Sequence, residues 1–142
     1  MDLCQNMLCR GQDPMDNKYY YGYYYYDAIN KIHWIINPRD IKDMHVVSEK
    51  SIDRFTGFFD KNNIPIFEND DFKDKVHDKD VVCTIKYDPT DAIFEVICSF
   101  NSNDMNSYLS YSYSVSRSWM SEVNIMSKSN ATKDTINELL TP

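Results

Sequence analysis

Carboxylates are the residues here best suited to chemistry. Glu68, Asp70, Asp71, Asp74, Asp78 and Asp80 fall in one short stretch, and such a density of acids can hold a hard divalent cation or serve as an acid/base pair. Their spacing matches no calcium loop and no pair one helical turn apart. A solvated acidic loop is the simpler reading, and the constellation Asp60, Glu68, Asp70 stands as the enzyme alternative. That alternative requires a concave pocket with a carboxylate whose pKa is strongly displaced. His33, His45 and His77 lie far apart, and none stands at metal-ligand spacing from a cysteine. Cys4, Cys9, Cys83 and Cys98 show no C-x-x-C pair, and the many serines include no G-x-S-x-G elbow. Three glycines cannot build a phosphate cradle. The expectation is a protein with no catalytic residue, no metal and no cofactor.

The run Tyr19-Tyr20-Tyr21-Gly22-Tyr23-Tyr24-Tyr25-Tyr26 offers aromatic rings for stacking. Single-strand binders use such platforms inside a basic rim, but only Arg10, Lys18 and Lys31 supply charge nearby. The whole chain carries 15 basic and 22 acidic residues, a net charge of −7, which opposes direct contact with phosphates. Packing, or a protein interface anchored by Tyr23, Tyr25 and Tyr26, fits better. An acidic surface that imitates nucleic acid is the alternative.

These residues need elements to position them. At 142 residues the chain suffices for one domain or two small lobes and buries about 70% of its unfolded surface. No apolar run approaches the roughly 20 residues of a membrane helix, and the cysteine usage fits a reducing cytosol. Tyr19 to Tyr26 and Ile29 to Ile36 read as strands joined by a short turn at Asp27-Ala28, with Asn37-Pro38 ending the second. Arg39 to Lys50 is irregular, a loop or one helical turn. Ile64 to Phe67 is a short strand and Lys73 to Lys79 a charged connector. Val81 to Tyr87 and Ala92 to Phe100 form a hairpin around Asp88-Pro89-Thr90-Asp91. If Tyr87 pairs with Ala92, Cys83 faces Val96, and the thiols of Cys83 and Cys98 are diagonal neighbours packed as small apolar groups. Leu109 to Trp119 alternates apolar and serine positions, a strand with one wet face. Glu122 to Ile125 gives a last short strand, and Thr135-x-x-Glu138 suggests a capped helix over residues 131–140.

The predicted fold class is mainly β, α+β at most: a small open β-barrel or bent antiparallel sheet with a short C-terminal helix. It divides into an N-terminal lobe over 1–72, a connector over 73–80 and a hairpin lobe over 81–142, or packs as one compact domain.

The most specific stretch is Phe55-Thr56-Gly57-Phe58-Phe59-Asp60-Lys61-Asn62-Asn63-Ile64-Pro65-Ile66-Phe67-Glu68-Asn69-Asp70. It resembles the signature of the YopX family of phage and prophage proteins, Y-T-G-L-x-D-K-N-G-x-x-I-Y-E-G-D-I. Arg10-Gly11 followed by the tyrosine run is similar to the opening of one subgroup, and Asn137-Glu138-Leu139-Leu140 to the family's closing N-P-E-L-L. Residues 101–120 have no evident counterpart. The resemblance marks Thr56, Gly57, Asp60, Lys61, Asn62, Ile66, Glu68 and Asp70 as motif positions, read here as structural. Asn63 and Asn69 replace the two family glycines, and asparagine is the next most tolerant residue for positive φ. The family is small, mostly β and without an established biochemical role. The resemblance implies a phage or prophage protein; the expectation is a non-enzymatic accessory protein in the cytoplasm of the bacterial host that binds a host or phage protein, and exposed strand edges with spare tyrosines suit a homo-oligomer. A nucleic-acid-directed role is the first alternative, an enzyme the second.

Overall fold

Alternating apolar and polar residues favour strands with one covered face, and strands dominate the fold. The computed structural model describes residues 8–76, 78–101, 108–114, 123–126 and 131–141. His77, Glu122 and the 115–119 part of the serine-alternating strand lie outside the described residues. Every recorded strand pairing is antiparallel. The architecture is mainly β, with two open sheets and a short helix near the C-terminus. Neither sheet closes into a barrel.

The chain forms two compact units, Met1–Gly57 with Ser129–Pro142, and Phe58–Lys128. Residues 73–76 lie in one strand of the second unit and residues 79–80 in the next.

In the first unit lie β1 (Leu8–Gln12), β2 (Tyr19–Asp27), β3 (Ile32–Asn37), β4 (Asp40–Val46) and most of β5 (Asp53–Phe59), in the spatial order β4-β3-β2-β1-β5. The β2–β3 turn is longer than the sequence suggests, because Asp27 pairs with Ile32 and leaves residues 28–31 in the loop. The Asp27 carboxylate sets this turn by accepting from the Ile29 and Asn30 amides, and Lys31 takes the left-handed conformation at φ 57°. The irregular segment after Asn37 contains a strand that the sequence reading misses. Its pairing with β3 shifts register at Ile36/Asn37, so its apolar residues do not alternate, and its polar edge position guards against stray pairing. Next to the same irregularity Gly22 is required. A Cβ there would overlap the Ile36 carbonyl oxygen and stand 2.7 Å from its carbon.

After β4 the chain crosses back. The Val47 amide donates to His33 O and the Ser48 amide to Gln12 O, at 3.0 and 2.9 Å, which drops Val47 onto Cys9 and Ile35 with Tyr20 and Ile52 around them. A 3-10 turn, Glu49–Ser51, leads into β5. Between β1 and β5, Arg10 pairs directly with Asp53, and its Nε donates to the Asp53 carboxylate at 2.9 Å with both residues buried.

The helix α1 (Lys133–Leu140) also belongs to this unit. Its N-cap is Thr132, which exchanges hydrogen bonds with Thr135. The box therefore starts three residues before the Thr135-x-x-Glu138 pattern. Ala131 and Ile136 are buried, and Arg39 donates to Glu138 O.

The second unit contains β6 (Pro65–Phe67) and a sheet of β7 (Asp71–Val76), β8 (Lys79–Asp88), β9 (Ile93–Asn101), β10 (Tyr108–Ser114) and β11 (Ile125–Met126), ordered β10-β9-β8-β7-β11. Val81, Cys83 and Ile85 of β8 share a core with Ile66, Phe72, Val96 and Cys98. The β8–β9 register corrects the sequence reading. Ala92 is left-handed at φ 54° and stays in the turn, so Tyr87 pairs with Phe94 and Cys83 directly faces Cys98. The two form a disulfide, with Cα atoms 4.1 Å apart, where diagonal thiols were expected. Cys9 is buried in the first unit, against Ile35 and Val47. The bridge spans a sequence separation of 15, for which the chain-entropy model gives about 3 kcal/mol. Urea unfolding with and without a reductant is expected to show that loss in the second unit, and equal midpoints would contradict it.

Candidate functional site

The motif begins inside β5. Thr56 is buried, and Gly57 adopts φ 86° within the strand, at a kink and not at a chain reversal. The corner follows at Asp60, whose side chain is the hub. Its Oδ1 accepts from the amides of Asn62 at 2.8 Å and Ile64 at 2.9 Å, and its Oδ2 accepts from the amide of Ile125 at 3.0 Å. Its backbone adds Asp60 N to Ile64 O and Asn63 N to Asp60 O. Lys61 N donates to Val123 O, and the Asn62 amide group donates to Asn124 Oδ1. Both Lys61 and Asn62 are otherwise exposed. A single buried carboxylate thus closes a tight turn and ties it to a strand 65 residues away in sequence.

Asn63, in place of the first family glycine, has φ 61°, and Asn69, in place of the second, has φ 66°. Ile66 fills the core. Asp70 is fully buried and serves the next turn: its Oδ2 accepts from Phe67 N at 2.8 Å, its backbone N donates to Phe67 O, and its carbonyl accepts from Ile85 N. Asn69 N donates back to Ile85 O at 2.7 Å. Asp70 therefore fixes the turn against β8, not the bend beside Gly57. Glu68 is half-buried in that turn. Asp71 accepts from Thr84 Oγ1. Among the described residues no group of three or more His, Cys, Asp or Glu is placed to hold a metal ion.

The tyrosine strand separates its residues by parity. Tyr23 pairs with Ile36 and Ile36 with Met44, while Tyr25 pairs with Trp34 and Trp34 with Val46. These two cross-strand rows lie side by side on one face, where Tyr25, Val46 and Met44 are 53%, 41% and 38% exposed. Tyr26 falls on the opposite face with Tyr24 and His33, so the three candidate interface tyrosines are not one cluster. There the Tyr26 and His33 rings stack at 4.7 Å, and the Tyr24 and His33 rings at 5.8 Å with a 2.7 Å hydrogen bond between Tyr24 Oη and His33 Nδ1. Tyr20 lies flat on His45 at 3.4 Å, and His45 Nε2 meets Asp43 Oδ1 at 2.8 Å. The hydrogen bonds from Asn37 and His45 hold the Asp43 carboxyl below its ordinary value. Tyr20 donates to Asp16, which pushes the phenol up to about 12 and keeps it protonated at neutral pH.

A family model described as YopX protein matches residues 9–119. The chain belongs to the YopX family. The YopX match covers both the tyrosine strand and every motif residue from Thr56 to Asp70. It also runs through residues 101–119, the stretch without a counterpart in the sequence comparison, and stops before Asn137-Glu138-Leu139-Leu140. No curated protein and no solved structure matches the chain.

Sequence reasoning missed Trp34, Ile36, Met44 and Val46 as companions of the tyrosines. The alternation in β3 was visible, but the face it joins depends on the length of the 28–31 loop, and β4 carries no alternation at all. Nothing in the spacing of His33 and His45 announces their stacking on tyrosines.

Proposed function

We propose that this YopX-family chain is a non-enzymatic phage or prophage accessory protein that acts by binding a host or phage protein. The row Tyr25–Trp34–Val46, flanked by Tyr23–Ile36–Met44, is the contact surface. The observation that carries the reading is the exposure of Tyr25, Val46 and Met44 beside the half-buried Tyr23, Trp34 and Ile36 on one sheet face. Tyrosine, tryptophan and methionine are the residues enriched at interface centres, and a rigid sheet presents them at low entropic cost. The engagement of Asp60 and Asp70 with backbone amides supports the non-enzymatic half of the reading, since acid/base work requires a carboxylate free to exchange protons with substrate.

The test is co-purification from the host with tagged wild type and with Tyr25→Ser/Val46→Ser, at low and moderate salt. Both substitutions fall on exposed side chains, so folding is retained, as circular dichroism will check. One stoichiometric protein held by the wild type and weakened at least about 10-fold by the double variant is the expected result. Recovery of nucleic acid released by salt, of the protein alone, or of an undiminished partner with the double variant would contradict it.

A further inference from the structure

On the face opposite that strip the rings are arranged differently. Tyr24, His33 and Tyr26 form a ladder, and the hydrogen bond between Tyr24 Oη and His33 Nδ1 locks two of its members. Tyr24 and Tyr26 nevertheless stay 40% and 43% exposed. The return of the chain after β4 carries Glu49 to this ladder. Its carboxylate lies 3.8 Å from His33 Nε2, with a side chain 79% exposed, and its charge also reaches Tyr24. Farther along the same unit, Asp43 on His45 and Asp16 on Tyr20 repeat the pairing of a ring with a carboxylate.

Partly exposed aromatic rings next to carboxylates form the environment that attracts a guanidinium. The quadrupole of the ring and the negative charge act together on a planar cation, which stacks better than an ammonium does. We propose that the Tyr24–His33–Tyr26 ladder with Glu49 is a docking site for an arginine-bearing segment of a protein partner. Charge complementarity selects this occupant: the chain carries a net −7, which draws a basic segment in and repels nucleic acid. The basic residues on the same and neighbouring elements are Arg10, which is buried against Asp53, and Lys18, Lys31, Arg39, Lys42, Lys50 and Arg54. Glu49 is the carboxylate beside the ladder, 3.8 Å from His33 Nε2. The inference goes beyond the apolar strip, lies on the other face, and stands or falls separately from it.

The probe is a fluorescent Gly-Arg-Gly-Arg-Gly peptide titrated against the full chain, beside the same peptide with neutral citrulline at both arginine positions. Glu49→Gln and Tyr26→Ser are compared with Asp91→Asn, which makes the same charge change as Glu49→Gln in the exposed β8–β9 turn of the other unit. The expected result is preference for the arginine peptide, weakened about 3- to 10-fold by Glu49→Gln and by Tyr26→Ser, and unchanged by Asp91→Asn and by Tyr25→Ser/Val46→Ser. Glu49 is a surface side chain, so Glu49→Gln tests the proposal even where Tyr26→Ser fails to fold. Equal weakening by Glu49→Gln and Asp91→Asn, equal affinity for the citrulline peptide, or displacement of the peptide by oligothymidine would each overturn the proposal.

Discussion

Asp60→Ala is expected to lower the unfolding free energy of the second unit by about 3 to 5 kcal/mol in urea denaturation. Three amides, those of Asn62, Ile64 and Ile125, lose a common charged acceptor, and hydrogen bonds to charged groups contribute about 1.5 to 3 kcal/mol each, reduced where water can replace the lost partner. The residue is only 4% exposed, so water replaces the carboxylate poorly. Asp60→Asn is expected to cost about half as much. Its amide oxygen can still accept from Asn62 and Ile64, but its NH2 group then opposes the Ile125 N–H, donor against donor. A carboxylate kept for chemistry behaves in the opposite way, because removing a functional carboxylate commonly leaves stability unchanged or raised. Unchanged urea midpoints for both variants would therefore return Asp60 to the list of candidate catalytic groups.

The second large effect lies in the first unit. Arg10→Met is expected to destabilise it by about 3 to 5 kcal/mol, because Asp53 is left as a buried charge after losing the 2.9 Å bond from Arg10 Nε. Asp53→Leu is expected to cost a similar amount by stranding the guanidinium, which also lies 5.5 Å over the Tyr19 ring. The double variant Arg10→Met/Asp53→Leu should recover most of either loss, since a buried ion pair replaced by apolar side chains of similar volume is often neutral in stability. The decisive quantity is the coupling in the double-mutant cycle. Losses that simply add would mean that the two side chains do not depend on each other.

Much of this architecture was legible in the sequence because it is local. The β8 and β9 strands announce themselves through Val81, Cys83, Ile85 and Val96, Cys98, and the left-handed positions at Asn63 and Asn69 follow from residue type at a turn. What was not legible depends on register or on distance along the chain. Moving the turn by one pair changes Cys83 from a neighbour of Val96 into the partner of Cys98. The side of the sheet that Tyr25 shares with Val46 follows from a loop length and an edge strand without alternation. The partner of Asp60 is Ile125, and no local pattern joins an aspartate in a turn to an amide so far away. The Arg10–Asp53 pair follows the same logic: each looks like an ordinary polar strand residue until β1 and β5 are laid side by side.

Asp60 clamps the backbone of the motif turn through three amides. The exchange rate of the Ile125 amide with deuterated solvent tests the clamp most directly, since the clamp gives that N–H the Asp60 carboxylate as its acceptor at 3.0 Å. Slow exchange is expected in the wild type, close to that set by the opening of the second unit as a whole. In Asp60→Asn acceleration by about 100-fold or more is expected, with the Ile64 amide much less affected because an oxygen still faces it. Equal protection of Ile125 in the two proteins would contradict the clamp, and with it the structural reading of the motif.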